Sequence, residues 1–279
     1  MYTRVLLAVD GTDSAVAVLP ELVRFARAWR STVRVTHVRR PGPARRGADP
    51  VGTVLQLVRR LRAADVVACD DVRPARDDDV AATVAYAAHE FEVDLIALAT
   101  HGASALATML TGSVSRDVAR AVDMPILLLR PALTRRDGRP PTVLAAVDWT
   151  ERRPAVLAAA VDAAAGGGEV IVAHVPEGIG ERVVYGHPFL REERLVEAAT
   201  DELRVRGVPA RGMVLDPRGR ASGRIVLAAE RFGADVIVVG SRRLGDLANL
   251  AGWSVGDQVA RSARGPVLLA AGGGGEGGS

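Results

Sequence analysis

The sequence predicts an α/β fold present twice, each copy a five-stranded parallel sheet with helices on both faces. Two observations carry this. The first is an internal repeat: Arg4-Val5-Leu6-Leu7-Ala8-Val9-Asp10 recurs as Thr142-Val143-Leu144-Ala145-Ala146-Val147-Asp148, an offset of 138. Thr36-His37-Val38 matches Ala173-His174-Val175 at 137, and Asp94 to Ala99 and Met124 to Leu129 match Asp235 to Gly240 and Gly265 to Ala270 at 141. Collinear matches at nearly constant offset mean one domain written twice, with small loop insertions. The second observation is that short β-branched runs alternate with longer Ala-rich segments, as βα units feeding a sheet buried on both faces do.

The first copy is expected over residues 1–131, with strands near 3–10, 32–38, 65–70, 94–99 and 125–130. Helices are expected near 13–29, 51–63, 78–91 and 113–122. Thr12-Asp13-Ser14 offers cap residues for the first helix, and Pro20 inside it is expected to bend it. The Pro/Arg stretch 132–141 reads as a linker. The second copy, 142–271, carries strands near 142–148, 169–175, 208–215, 235–240 and 266–271, and Gly166-Gly167-Gly168 ends its first helix. The glycine-rich tail 272–279 has nothing to pack with and is expected to be disordered.

Composition excludes several function classes. The chain contains 279 residues, 48% of them hydrophobic and 25% charged, which suits a soluble globular protein. No apolar window approaches the roughly 18 residues of a membrane helix, and Val5 to Val9 is too short for a signal peptide, so the expectation is a cytoplasmic protein without membrane partners. There is no lysine, so the Walker P-loop, the protein-kinase lysine and Schiff-base chemistry are excluded together. Net charge is +2 over 1–131, +2 over 132–141 and −1 over 142–279, leaving no basic arm for nucleic acid. The one cysteine, Cys69, stands in an apolar run and reads as a buried structural thiol.

Chemistry is expected at the carboxyl ends of the strands, where parallel sheets of this kind bind ligands. Copy one ends its first strand at Asp10-Gly11-Thr12, its second at His37-Val38 and its fourth at Leu98-Ala99-Thr100-His101-Gly102. A small-residue loop then leads to Gly112-Ser113-Val114-Ser115, which opens a helix. Glycines let backbone amides approach a ligand, and a helix start with serine hydroxyls favours an anion, which makes a phosphate cradle without lysine. On the residues alone, a plain turn followed by a capped helix explains the same pattern equally well.

The chain resembles the universal stress protein family in tandem form. That family's nucleotide signature is glycine, two residues, glycine, nine residues, then glycine with serine or threonine. Copy one reads Ala99-x2-Gly102-x9-Gly112-Ser113 and departs from it only at Ala99. The resemblance implies a Rossmann-like, adenine nucleotide alpha hydrolase-like domain that binds ATP with a magnesium or manganese ion. It implies that Asp10 and Val38 hold adenine, that Leu98 and Ala99 line the ribose side, and that Gly102, Gly112 and Ser113 hold phosphates, with Val114 and Ser115 beside them. It further implies a stress-response regulator with an as yet unidentified protein partner, paired through its last strands within the chain or between chains.

Copy two departs further. From Gly240 its loop runs Ser241-Arg242-Arg243, then nine residues to Gly252, then Trp253-Ser254. Gly112 lies 13 residues before Pro125 and Trp253 lies 13 before Pro266, so Trp253 is the counterpart of Gly112. Loss of nucleotide binding in copy two is the expectation, the alternative being an anion held directly by Arg242 or Arg243. No residue is nominated as a catalytic base. A slow ATP hydrolase would have to use Asp10 or His101, and a nucleotide-free interaction module is the remaining class. His37 and His174 read as packed sheet-end histidines, His101 and His187 as unpaired loop residues, and Asp77-Asp78-Asp79 as a solvated helix start rather than a metal site.

Overall fold

A computed structural model describes residues 1–11, 14–40, 49–99, 117–119, 121–130, 139–150, 153–176, 190–240 and 254–271. The chain divides into two compact units, whose described residues end at Arg130 in the first and begin at Arg139 in the second. The first unit contains β1 (Arg4–Val9), α1 (Ser14–Trp29), β2 (Thr32–Arg39), α2 (Pro50–Ala63), β3 (Val67–Pro74), α3 (Val80–Glu90), β4 (Leu95–Ala99) and β5 (Ile126–Leu129). The second contains β6 (Thr142–Ala146), α4 (Arg153–Ala163), β7 (Glu169–His174), α5 (Leu190–Val205), β8 (Ala210–Val214), α6 (Ala221–Phe232), β9 (Val236–Gly240), α7 (Val255–Ser262) and β10 (Val267–Ala270).

Within the first unit the strand order is β3-β2-β1-β4-β5, and every neighbouring pair is parallel. The second repeats it as β8-β7-β6-β9-β10, also parallel. In both, the chain first winds outward from the opening strand and then crosses to its other side, so the winding reverses beside β1 and beside β6. The apolar runs that predict the strands are the buried ones: all four residues of β5 and of β10 are buried, as are four of the five in β4 and in β9. Parallel strands covered on both faces have no polar side to show, which is why these runs lack alternation.

The two units also repeat polar details. Asp94 accepts a hydrogen bond from the Thr3 amide at 2.8 Å, and Asp235 accepts one from the Thr142 amide at 2.7 Å. Each carboxylate secures the amino end of its unit's opening strand. The first unit adds an aromatic anchor there, where Trp29 stacks on Phe25 and meets Tyr2 edge-on, both at 5.0 Å between centroids. Trp29 is 1% exposed, and removing such a side chain costs about 3–5 kcal/mol.

Three local expectations need correction or refinement. β3 begins two residues later and ends four residues later than the expected 65–70, because Asp71, Val72, Arg73 and Pro74 pair in register with Thr36 to Arg39 of β2. Aspartate is a poor strand former in isolation, and the tertiary ladder overrides that preference. Cys69 is half-buried rather than buried, since β3 is the outer strand and only alternate residues such as Ala68 face the core. The third helix begins at Val80, where Asp79 caps it by accepting from the Ala82 amide at 3.0 Å, while Asp77 and Asp78 form a left-handed turn before it. Helix α1 runs through Pro20, and the triple glycine follows α4, with Gly166 and Gly167 at φ of +89° and +90°. The caps at Thr12 and Asp13 and the tail 272–279 lie outside the described residues.

Candidate functional site

The carboxyl ends of β2, β1 and β4 lie side by side in the first unit. Val9 pairs with His37 and Ala8 with Leu98, which brings Asp10, Val38 and Leu98-Ala99 to one rim. This rim is where the winding reverses, the place such sheets use for ligands. The β1–β2 ladder ends at the Val9–His37 rung, one residue before Asp10 and Val38. Asp10 is exposed, whereas Val38 and Leu98 retain only 7% of their surface, so their side chains belong to the core and their backbone faces the rim. Gly102, Gly112, Ser113, Val114 and Ser115, expected at the phosphates, lie outside the described residues, as do His101, His187, Arg242, Arg243 and Trp253.

His37 is a packed sheet-end histidine, as expected. Its Nδ1 bonds the Val9 carbonyl at 3.1 Å, and the corresponding His174 bonds Val147 at 2.8 Å. A carbonyl can only accept, so each ring carries its proton on Nδ1. Gly11 leaves β1 at φ +78°, and a Cβ there would lie 2.9 Å from His37 Cε1 and 3.0 Å from Pro50 Cβ. Pro50 opens α2 behind the Asp49 cap, so three elements close on this one turn.

Arg130, which sequence reasoning passed over, is 2% exposed at the end of β5, directly after Leu129, the partner of Ala99. Burial lowers its pKa to about 10, so it stays protonated at neutral pH. The counterpart at offset 141 is Ala271.

The second unit finishes the same positions differently. Asp148 is followed by Trp149 where Asp10 is followed by Gly11, and its carboxylate accepts from the Thr150 amide at 3.0 Å and from the Thr150 hydroxyl. The Trp149 indole is 47% exposed and lies beneath the Arg191 guanidinium, 4.5 Å away. Helix α7 opens with a capping box: Ser254 Oγ accepts from the Asp257 amide at 3.1 Å, and the Asp257 carboxylate accepts from the Ser254 amide at 3.3 Å. Its first turn sits so close to β9 that a Cβ on Gly256, the counterpart of Ser115, would be 2.7 Å from the Gly240 carbonyl. Asp257 corresponds to Arg116 in the first copy. The Ser-x-x-Asp spacing that signals this box was readable in the sequence.

Among the described residues there is no cluster of three or more His, Cys, Asp or Glu side chains able to hold a metal, and no helix long and apolar enough to cross a membrane.

Comparison with known proteins agrees with the repeat. The model of the universal stress protein family matches residues 1–130 and again 141–271. A universal stress protein of Thermus aquaticus, encoded in the 3′ region of a QAH/OAS sulfhydrylase, is 32% identical over 135 residues, which are 46% of this chain and 96% of that protein. The crystal structure of a universal stress protein from Archaeoglobus fulgidus superposes with a TM-score of 0.69 at 19% identity, covering 96% of this chain and 95% of that one. A universal stress protein solved in complex with cAMP covers 47% of this chain and 99% of its own, at 20% identity and a TM-score of 0.37. With the model matched twice and the fold repeated to the same register, the chain belongs to the universal stress protein family, in its tandem two-domain form.

Proposed function

We propose that the chain is an ATP-binding regulator of the stress response that holds one nucleotide, in its first unit. The observation that carries this reading is the contrast between the two rims. The first joins exposed Asp10, a tight turn at Gly11 and buried Arg130 after β5, in the copy whose sequence keeps Gly102 and Gly112-Ser113. In the second, Trp149 stands in the place of that glycine, and the helix start is closed by its own Ser254 and Asp257.

The first unit's residues suit an anionic purine nucleotide. Asp10 and the Val38 backbone would hold adenine, Leu98 and Ala99 the ribose side, and Gly102, Gly112, Ser113, Val114 and Ser115 the phosphates. Arg130 supplies positive charge, and a magnesium or manganese ion would accompany the phosphates to offset their remaining charge. Asp257 at the third position of α7 brings a carboxylate to where a phosphate would otherwise bind, which opposes anion binding in the second unit.

Turnover is expected to be absent or very slow, because the rim offers hydrogen-bond donors but no evident base to activate water. Mass spectrometry of the protein purified without added nucleotide tests the reading directly. A retained adenine nucleotide is the expected result, and a steady-state turnover near about 10 per second would favour the hydrolase instead. The second unit, relieved of ligand binding, is assigned the role of a partner surface, with exposed Trp149 at its rim.

A further inference from the structure

The outer strands of the two units begin alike. Arg62 of α2 donates from Nε to the Ala68 carbonyl at 2.9 Å, and Arg204 of α5 donates from Nε to the Ala210 carbonyl at 3.1 Å. Alternate residues of an outer parallel strand bond inward, and those between them direct N–H and C=O away from the sheet. The Val170 amide bonds the Pro209 carbonyl at 2.8 Å and the Leu215 amide bonds the His174 carbonyl at 2.7 Å, so Ala210, Gly212 and Val214 are the outward set of β8. The Ala75 amide bonds the Arg39 carbonyl at 2.8 Å, which makes Ala68, Asp70, Val72 and Pro74 the outward set of β3. Each arginine thus caps the first outward carbonyl of its strand.

Beyond that cap the two edges part. β3 carries exposed Asp70, and Pro74 has no N–H to offer. In β8 Gly212 is exposed and is held to glycine because a Cβ there would collide with Val196 of α5, so no side chain of its own screens its backbone. Among the described residues nothing bonds the outward groups of Gly212 and Val214. Charge differs too. Residues 204–220 hold five arginines and one aspartate, a net +4, whereas the corresponding 62–78 hold three arginines and five aspartates, a net −2. Arg204, Arg206 and Arg211 pair with Asp201, Glu202 and Glu169, but these pairs lie at the surface, where they are worth little and exchange readily with an incoming carboxylate.

We propose that the β8 edge is a docking site for a partner protein that lays an extended acidic segment alongside it, its backbone bonded to Gly212 and Val214 and its carboxylates among the arginines. A second copy of β8 would bring the same positive charge to the edge and is disfavoured. The inference needs no nucleotide and stands apart from the ATP reading.

The test titrates the intact chain with three labelled, end-capped octapeptides, read by fluorescence anisotropy: one of alternating valine and glutamate, one of alternating valine and lysine, and the glutamate peptide with every backbone amide methylated. The glutamate peptide is expected to bind about tenfold or more tighter than the lysine peptide, and more weakly as salt rises. The methylated peptide keeps the charge but has lost its donors, and its binding should be lost. Val214→Pro removes an outward N–H that takes no part in the ladder to β7, and should weaken the glutamate peptide about tenfold. Arg211→Gln should weaken it about threefold. Equal affinity for the glutamate and lysine peptides, full binding of the methylated peptide, or unchanged affinity in Val214→Pro would overturn the proposal. If Val214→Pro does not fold, the methylated peptide decides alone. A dimer of the chain in sedimentation that Val214→Pro abolishes would give the edge to a second copy and overturn the acidic partner. ATP affinity of Val214→Pro should match wild type, and a chain that binds ATP but none of the peptides removes this inference and leaves the nucleotide reading standing.

Discussion

The rims of the two units are built on the same frame and finished to opposite ends. Each has parallel strands in the same order, a histidine bonded to a carbonyl at the exit of its opening strand, and an exposed aspartate next in the chain. In the first, the aspartate is followed by a tight turn at Gly11, and the last strand, two places along the sheet, is followed by buried Arg130. In the second, tryptophan takes the place of the glycine, the arginine is replaced by alanine, and the helix start satisfies itself. A duplicated fold thus preserves its strand order while the residues at its strand exits diverge.

That contrast can be broken most decisively at Gly112. Replacing it with tryptophan, as the second copy has at Trp253, should reduce ATP affinity by about a hundredfold or more in a chain that still folds, since two donors to a charged ligand are displaced. Calorimetric titration of the wild type should saturate near one equivalent of ATP. A stoichiometry of two, reduced to one by Arg243→Ala, would show arginine acting as a phosphate ligand in the second unit and would dissolve the contrast.

A smaller effect is expected at Arg130. Arg130→Met keeps the bulk and removes the charge, so ATP affinity should fall about tenfold. Unchanged affinity in that variant would remove Arg130 from the rim's electrostatics.

In the second unit the effects fall on stability rather than binding. Ser254→Ala should cost about 1 kcal/mol, seen as a lower urea midpoint for the transition of that unit, with ATP affinity untouched. The smallest effect belongs to Trp149→Ala, which loses the contact with Arg191 and should cost about 0.5 kcal/mol in the same assay.

Most of the frame was legible in the sequence because the buried parallel strands announce themselves as apolar runs, and the repeat supplies each one twice. Arg4 to Asp10 and Thr142 to Asp148 both read correctly as opening strands, although β6 is shorter by the residues at its exit. The second half of β3 was hidden because Asp70, Asp71 and Arg73 join the sheet through partners in β2, and local sequence holds no trace of that pairing. At the rim, Asp10 and Val38 were proposed as ligand contacts through the family resemblance. Trp149 and Asp257 were passed over for different reasons. The tryptophan matters only through its offset from Gly11, and the Ser-x-x-Asp box competes for notice with the bulkier Trp253 one residue before it. Arg130 sits at the end of an apolar run, where sequence gives no measure of how deeply a terminal cation is buried.

The outer strand of the first unit has a consequence for the behaviour of the protein at high concentration. The outer strand of a sheet carries backbone groups able to recruit a strand from another molecule, and β3 meets that hazard with charge. Asp71 and Arg73 pair at 2.9 Å, Arg73 reaches Glu90 at 2.7 Å, and Arg34 and Arg73 stand 3.5 and 5.0 Å from the Phe91 ring. A strand arriving at this edge would have to strip water from Asp70 and disturb that lattice of charges, and Pro74 ends the ladder before it could lengthen. The sequence that makes β3 hard to recognise as a strand is therefore the same sequence that protects it from fibrous self-association.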